Sequence, residues 1–249
     1  MKFLAPALLV VCCSFPAFAG FAELVKSGDV HDARSESDAA LQYYLPAEKI
    51  NPNNGALLVK ISRQYALRMN DLPNKADKIA SGKTALAYAE RAVVATPRDC
   101  DSHLALAICL GKLTPYIGAK EKIEASRRIK TAADRAVALD SRNDYAWHLL
   151  GRWHQSLANI GGTTRMLAGA IYGGLPAASN DEAVMCFKKS ISLNPKRLIH
   201  FIELGRTYAM MGRKAEAKDY LEQGLSMPEK EKDDAETKQR GRESLKELS

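Results

Sequence analysis

Four positions, Pro52, Pro97, Ser141 and Pro195, mark a pattern that recurs along the chain at intervals of 45, 44 and 54 residues. Downstream of each marker, four residues fall at i, i+3, i+4 and i+7, the spacing of one helix face. They are Leu58, Ile61, Ser62 and Tyr65; His103, Leu106, Ala107 and Leu110; Trp147, Leu150, Gly151 and His154; and Phe201, Leu204, Gly205 and Tyr208. Upstream of each marker, a second helix presents mostly small residues: Ala40, Tyr44 and Ala47; Ala85, Ala89 and Ala92; Ile129, Ala133 and Ala136; Ala183, Phe187 and Ser190. A helix pair repeated in constant phase cannot bury its faces alone, so successive pairs must stack on one another.

Large residue, Leu, Gly, aromatic-like residue on one helix, then small, aromatic, small, Pro on the next, resembles the tetratricopeptide (TPR) helix pair. The expected fold is therefore all-α, a TPR-like α-solenoid of antiparallel helix pairs. The usual unit is about 34 residues, so these repeats are stretched by roughly ten or more residues between the helices of each pair. A shorter pair closes at Lys214–Met227, with Ala217, Leu221 and Gly224 on its inner side. Asp233–Leu248 mixes acid and base throughout and suits a C-terminal capping helix. Residues 20–36 read as an irregular N-terminal segment, in which Phe21, Leu24 and Val25 can supply a short partner for the half-repeat at 37–50, and the repeat domain as 37–249. An insertion at 159–178 accounts for the longest interval. Within it, Thr163–Tyr172 forms a short amphipathic flap, and Ser179 with Glu182 reads as a capping box for the next helix.

Several motifs resemble the regulator of microtubule dynamics family of TPR-like proteins. They are Tyr116–Ile123, His148-Leu-Leu-Gly-Arg-Trp153, Gly174-Leu-Pro-Ala-Ala-Ser179, Glu182-Ala-x-x-x-Phe187 and the Leu193-Asn-Pro195 helix end. The resemblance runs from about Ala39 onward. It implies a non-enzymatic interaction protein, associated in eukaryotic members with microtubules and spindle poles, and a cytoplasmic, cytoskeletal location.

The N-terminus departs from that picture. A basic start at Lys2, an apolar run from Phe3 to Phe15 and the small-x-small stretch Ala17-Phe-Ala19 read as a secretory signal peptide, residues 1–19. On this reading the mature chain is exported, periplasmic or secreted. It would lose Lys2, and its formal charge would fall from +7 to +6. Basic and acidic residues are interspersed, which argues against a nucleic-acid partner and allows acidic protein surfaces. Three cysteines remain, Cys100, Cys109 and Cys186, an odd number that makes no disulfide framework. Cys100 and Cys109 lie on opposite sides of one helix.

Nothing in the sequence has the spacing of a nucleophile triad, a phosphate loop or a metal site. His148 and His154 face different ways on one helix, and no cofactor is expected. What the array offers is a concave surface lined by the first helix of each pair. The residue after the glycine position should face it: Arg63, Ile108, Arg152 and Arg206. Tyr145, His148 and Gln155 fall on the same inward side. A guanidinium can fork onto a carboxylate, so this stripe suits an acidic peptide or a C-terminal carboxylate. The same arginines would equally serve to pair with acidic residues of adjacent helices and organise the array. The alternative to a peptide groove is an exported envelope-assembly or peripheral membrane factor that uses the 163–172 flap.

Overall fold

A computed structural model describes residues 20–248 apart from 163–164, 167–168 and 170–174. The leader segment and most of the flap therefore lie outside the described residues. Among the described residues, eleven α-helices follow one another: α1 (Phe21–Asp32), α2 (Ser37–Ile50), α3 (Gly55–Asp71), α4 (Lys75–Ala95), α5 (Cys100–Leu113), α6 (Ala119–Leu139), α7 (Asp144–Ala158), α8 (Asn180–Leu193), α9 (Leu198–Met210), α10 (Lys214–Ser226) and α11 (Asp234–Glu247). They stack as five antiparallel pairs with α11 covering the end.

The expected irregular segment at 20–36 is the point of difference. Residues 21–32 form a full first helix packed on α2. It is short on apolar residues because its contact is made by absence: Gly28 leaves room for the Tyr44 ring, which a Cβ there would strike. The half-repeat at 37–50 is thus a complete pair.

That exchange of bulk explains how the pairs vary while keeping one phase. Gly28 faces Tyr44, Gly151 faces Phe187 and Gly205 faces Leu221. In the two intervening pairs the second-helix residue is Ala89 or Ala133, and the first helix fills the space with Ser62 or Ala107; all four are buried. Large against small at facing positions keeps the packing dense, as close-packed interiors require. Ser62 adds a buried hydrogen bond, its Oγ donating to Ala85 O at 2.9 Å.

The markers do the same work in each turn. The amides of Asn51, Thr96, Asp140 and Asn194 close the last turns onto Ala47, Ala92, Ala136 and Ser190. Two residues after the marker, Asn54, Asp99 and Asn143 cap the following helix through side-chain oxygens. Trp147 Nε1 donates to the Ser141 carbonyl at 2.9 Å, and His103 Nε2 makes the same bond to the Pro97 carbonyl at 3.0 Å. The extra length of the stretched repeats goes largely into helices: α4 and α6 are each 21 residues. Cys100, Cys109 and Cys186 are all free thiols.

Candidate functional site

The concave side of the array encloses a cavity of 950 Å³. Its walls are the end of α3, the inner faces of α5, α6 and α7, and the start of α11. Ile108, Ile123, Leu149 and Trp153 give it an apolar floor, and Lys78, Lys112, Lys122, Arg152 and Arg240 bring positive charge to it. Trp153 is fixed there because its Nε1 donates to both the carbonyl, at 2.8 Å, and the Oγ, at 3.1 Å, of Ser126. Lys78 and Lys122 have no carboxylate partner among the described residues.

Beneath this wall sits Glu203 of α9, with 0% of its surface exposed. Three guanidiniums surround it. Arg152 reaches Oε2 at 2.5 Å, Arg206 contacts both oxygens at 3.0 and 2.9 Å, and Arg240 of α11 lies 3.6 Å from Oε1. Burial alone would raise the Glu203 carboxyl, but the charges of Arg152, Arg206 and Arg240 outweigh it and hold the group below the usual carboxylate range. Arg240 also pairs with Glu236 at 2.7 Å. Three arginines against these two carboxylates leave one positive charge of the cluster uncompensated.

A second buried network joins α7 to α9 one turn earlier. His148 Nδ1 and His200 Nδ1 are 3.0 Å apart, and His200 Nε2 is 2.8 Å from Asp144 Oδ2. Burial pushes His148 well below its ordinary value, with the neighbouring His200 and arginines adding to it. His200 is lowered by burial too, against the opposing pull of Asp144. Neutral His200 therefore donates from Nε2 to Asp144 and accepts at Nδ1, so His148 carries its proton on Nδ1. Burial also pulls Asp144 upward, but the His200 hydrogen bond and Arg197 hold its carboxyl low.

Arg197 ties this network to the C-terminal segment. It occupies the capping position of α9, where its carbonyl accepts from the His200 amide, yet its side chain makes no cap hydrogen bond. Its guanidinium pairs instead with Asp144 at 2.6 Å and Glu231 at 2.8 Å, and lies 5.2 Å over the Tyr145 ring. Residues 228–233 then cross the concave side to the second pair of the array. Lys232 Nζ is 2.5 Å from Asp71 Oδ2, Asp233 is 3.4 Å from Lys112 Nζ, and Asn70 donates to Asp233. These pairs are partly exposed and contribute only about 0–1 kcal/mol each.

The structure thus divides the expected stripe. Tyr145, His148 and Arg152 line the cavity, but His148 is 2% exposed and occupied by His200. Gln155 is engaged inside the junction, donating to Glu203 O at 3.1 Å and Thr207 Oγ1 at 2.9 Å. Arg206 backs the wall through Glu203. Arg63 stands apart: it is exposed, does not line the cavity and approaches Asp32 of α1 at 3.7 Å. Equal phase along the chain therefore does not bring every stripe residue to one place. Nothing in the repeat phase singles out Glu203 or Arg240, and Asp233 and Asp234, which read as solvated carboxylates of the charged tail, are engaged: Asp233 with Lys112 and Asn70, and Asp234 buried and accepting from the amides of Lys230 and Glu231. Only Arg197 left a signal, as an arginine where the other turns have Asn or Asp.

Among the described residues, no group of three or more His, Cys, Asp and Glu is arranged to hold a metal ion, and no helix is long and apolar enough to cross a membrane.

The family profile for regulator of microtubule dynamics protein 1-3 matches residues 24–249. Regulator of microtubule dynamics protein 3 of Xenopus laevis is 24% identical over 216 residues, covering 86% of this chain and 47% of that protein. Regulator of microtubule dynamics protein 1 of Bos taurus is 28% identical over 145 residues, covering 58% of this chain and 46% of that protein. The chain spans about half the length of these curated relatives. Among solved structures, a thermophilic TPR protein of Thermus thermophilus superposes with a TM-score of 0.64 at 18% identity, covering 91% of this chain and 99% of that one. The repeat phase, the helix pairs built on it and a profile spanning all but the first few described residues lead to one assignment: this chain is a TPR-like helical scaffold belonging to the regulator of microtubule dynamics family.

Proposed function

We propose that the concave cavity captures an acidic peptide segment or a C-terminal carboxylate of a protein partner. The observation that carries this reading is the uncompensated positive charge around Glu203, together with unpartnered Lys78 and Lys122 on the same cavity. A guanidinium held by a buried carboxylate is already oriented, so its free N–H groups can meet a second carboxylate without further ordering. Arg152 and Arg240 serve as the anchors, with Arg206 supporting them through Glu203. The apolar floor at Ile108, Leu149 and Trp153 takes a hydrophobic side chain of the same segment. Arg63 contributes to a separate patch at the α1 end.

Charge reversal at Lys78 and Lys122, far in sequence from Glu203, tests this without disturbing the buried cluster. The Lys78→Glu, Lys122→Glu protein should lose capture of an acidic peptide library at least tenfold while keeping its helical circular dichroism. Unchanged capture by that folded variant would overturn the groove reading.

Regulation of microtubule dynamics, the role named for the relatives, is the proposed setting if the chain resides with microtubules. The leader reading of residues 1–19 proposes export instead. Sequencing the native N-terminus separates the two, since a start at Gly20 outside the cytoplasm removes microtubules as a partner.

A further inference from the structure

We infer that residues 229–233 are an internal occupant of the concave groove, standing where an acidic partner peptide would bind and excluding it until displaced. The inference rests on the reading of that groove as a carboxylate receptor, and deepens it by naming what competes for the site and what the partner must look like.

Four observations point the same way. First, the strap is acidic and irregular: Pro228-Glu-Lys-Glu-Lys-Asp233 has no helical structure, and α11 begins only at Asp234. Second, its carboxylates meet cations at the cavity: Lys112 in its wall, and Arg197 stacked on the wall residue Tyr145. Glu231 pairs with Arg197 at 2.8 Å, and Asp233 with Lys112 at 3.4 Å while also accepting from Asn70. Third, Asp233 and Lys112 are themselves part of the cavity wall, together with Tyr145, so the strap stands at the cavity and not on a remote face. Fourth, its hold on the array is polar and shallow. No side chain from Pro228 to Asp233 is buried. The amides of Lys230 and Glu231 donate to Asp234 Oδ2, each at 2.8 Å, so those bonds stay within the segment and the start of α11. Across to the array the strap is retained by partly exposed polar contacts and ion pairs, which are weak and screened by salt. Its two ends, by contrast, are anchored: Leu221 and Gly224 of α10 are buried before it, and Asp234, Thr237 and Gly241 of α11 after it.

A segment fixed at both ends, held across the groove by polar contacts and facing an apolar-floored cavity, can be lifted without unfolding its neighbours. The competitor that fits is an extended acidic segment that displaces Asp233 from Lys112 and Glu231 from Arg197 at the cavity rim and carries a carboxylate on to Arg152 and Arg240 of the same wall. It gains over the strap if it carries an apolar side chain for the Ile108–Trp153 floor, which the strap does not supply. The strap's own local concentration sets the threshold such a partner must exceed.

The test uses the full chain and a fluorescein-labelled synthetic peptide with the sequence of Pro228–Glu236. In the Lys232→Ala, Asp233→Ala variant one positive and one negative charge are lost, so net charge is unchanged and a binding change reports release of the strap. The variant is expected to bind the peptide at least tenfold more tightly than the unmodified chain by fluorescence anisotropy. Its strap should also be cut faster after Glu231 by a glutamate-specific protease. Equal, measurable binding to both proteins overturns the inference and leaves the groove reading standing. Accelerated cleavage with no binding to either protein overturns both. Should the variant fail to fold, excess unlabelled peptide added to the unmodified chain must accelerate cleavage after Glu231; no acceleration at saturating peptide overturns the inference.

Discussion

Glu203 joins α7, α9 and α11 through one buried carboxylate. A carboxylate is rarely fully buried unless paired, and this one is paired three times. Removing a partner from a buried ionic cluster costs far more than the cluster contributes, because the remaining charges stay desolvated. Glu203→Gln should therefore lower stability by about 3 kcal/mol in urea titrations at neutral pH. A change of less than about 1 kcal/mol would mean that the three arginines simply turn to solvent. The histidine pair makes a different prediction. Both rings are held below the ordinary value of 6.5, so the unfolded chain binds more protons than the folded one just beneath that pH. Stability is then fully present above pH 6.5 and declines as the pH falls toward the depressed values. His148→Phe removes one of the two protons and should make this acid-side slope shallower. An unaltered slope between neutral pH and the onset of carboxylate titration would sink the assignment of His148 as a neutral ring in the folded chain. Gly151→Ala tests packing: its Cβ would lie 2.9 Å from Phe187 Cε1, and the ring is buried. A loss of about 1–3 kcal/mol is expected by thermal unfolding, since the ring must shift in a filled core.

At the scale of the helix, the departures from the repeat are more informative than the repeat. Asn54, Asp99 and Asn143 cap α3, α5 and α7, but α9 begins after Arg197 with no side-chain cap. A capping residue there is worth about 1 kcal/mol, and the chain forgoes it to hold Asp144 and the strap. Arg197→Asn should protect the first-turn amides of α9 better while speeding hydrogen exchange across 228–233. Slower exchange in both places would contradict the role given to Arg197. The same comparison shows what was readable in the sequence. The phase of Pro52, Pro97, Ser141 and Pro195 was enough to place the helix pairs from α2 to α10, because small residues and caps sit at fixed offsets from each marker. At the N-terminus Phe21, Leu24 and Val25 are too sparse to show more than a short partner for α2, and the full length of α1 was not legible from them. The legible signal was Gly28, which stands to Tyr44 as Gly151 stands to Phe187. The candidate site was only partly legible. Arg152 and Tyr145 could be phased onto the inner side, but the burial of Glu203 against Arg152 and the reach of Asp233 to Asn70 join residues 51 and 163 positions apart, which no local pattern encodes.

Across the molecule, the pairs form one array in which each contacts its neighbours, and α11 covers the last of them. Gly241 of α11 sits against Ile202, where a Cβ would come within 2.8 Å, and Arg240 completes the Glu203 cluster. Ending the chain after Met227 would expose Ile202 and Leu225 and withdraw one of the three guanidiniums. Stability in such arrays sums local and nearest-neighbour contributions. The shortened chain should consequently unfold in two steps, α9 and α10 before the rest, as followed by hydrogen exchange along a denaturant series. A single cooperative transition would show that the end pair does not depend on α11. The contact of Lys232 and Asp233 with Asp71, Asn70 and Lys112 has one more consequence. In an open solenoid each unit touches only its neighbours, so a unit can be gained or lost without disturbing distant ones. Here the sixth step of the staircase rests its foot on the second, so the number of treads between them is fixed by geometry. A duplication or deletion of a single pair would carry the C-terminal segment past its landing and break this contact.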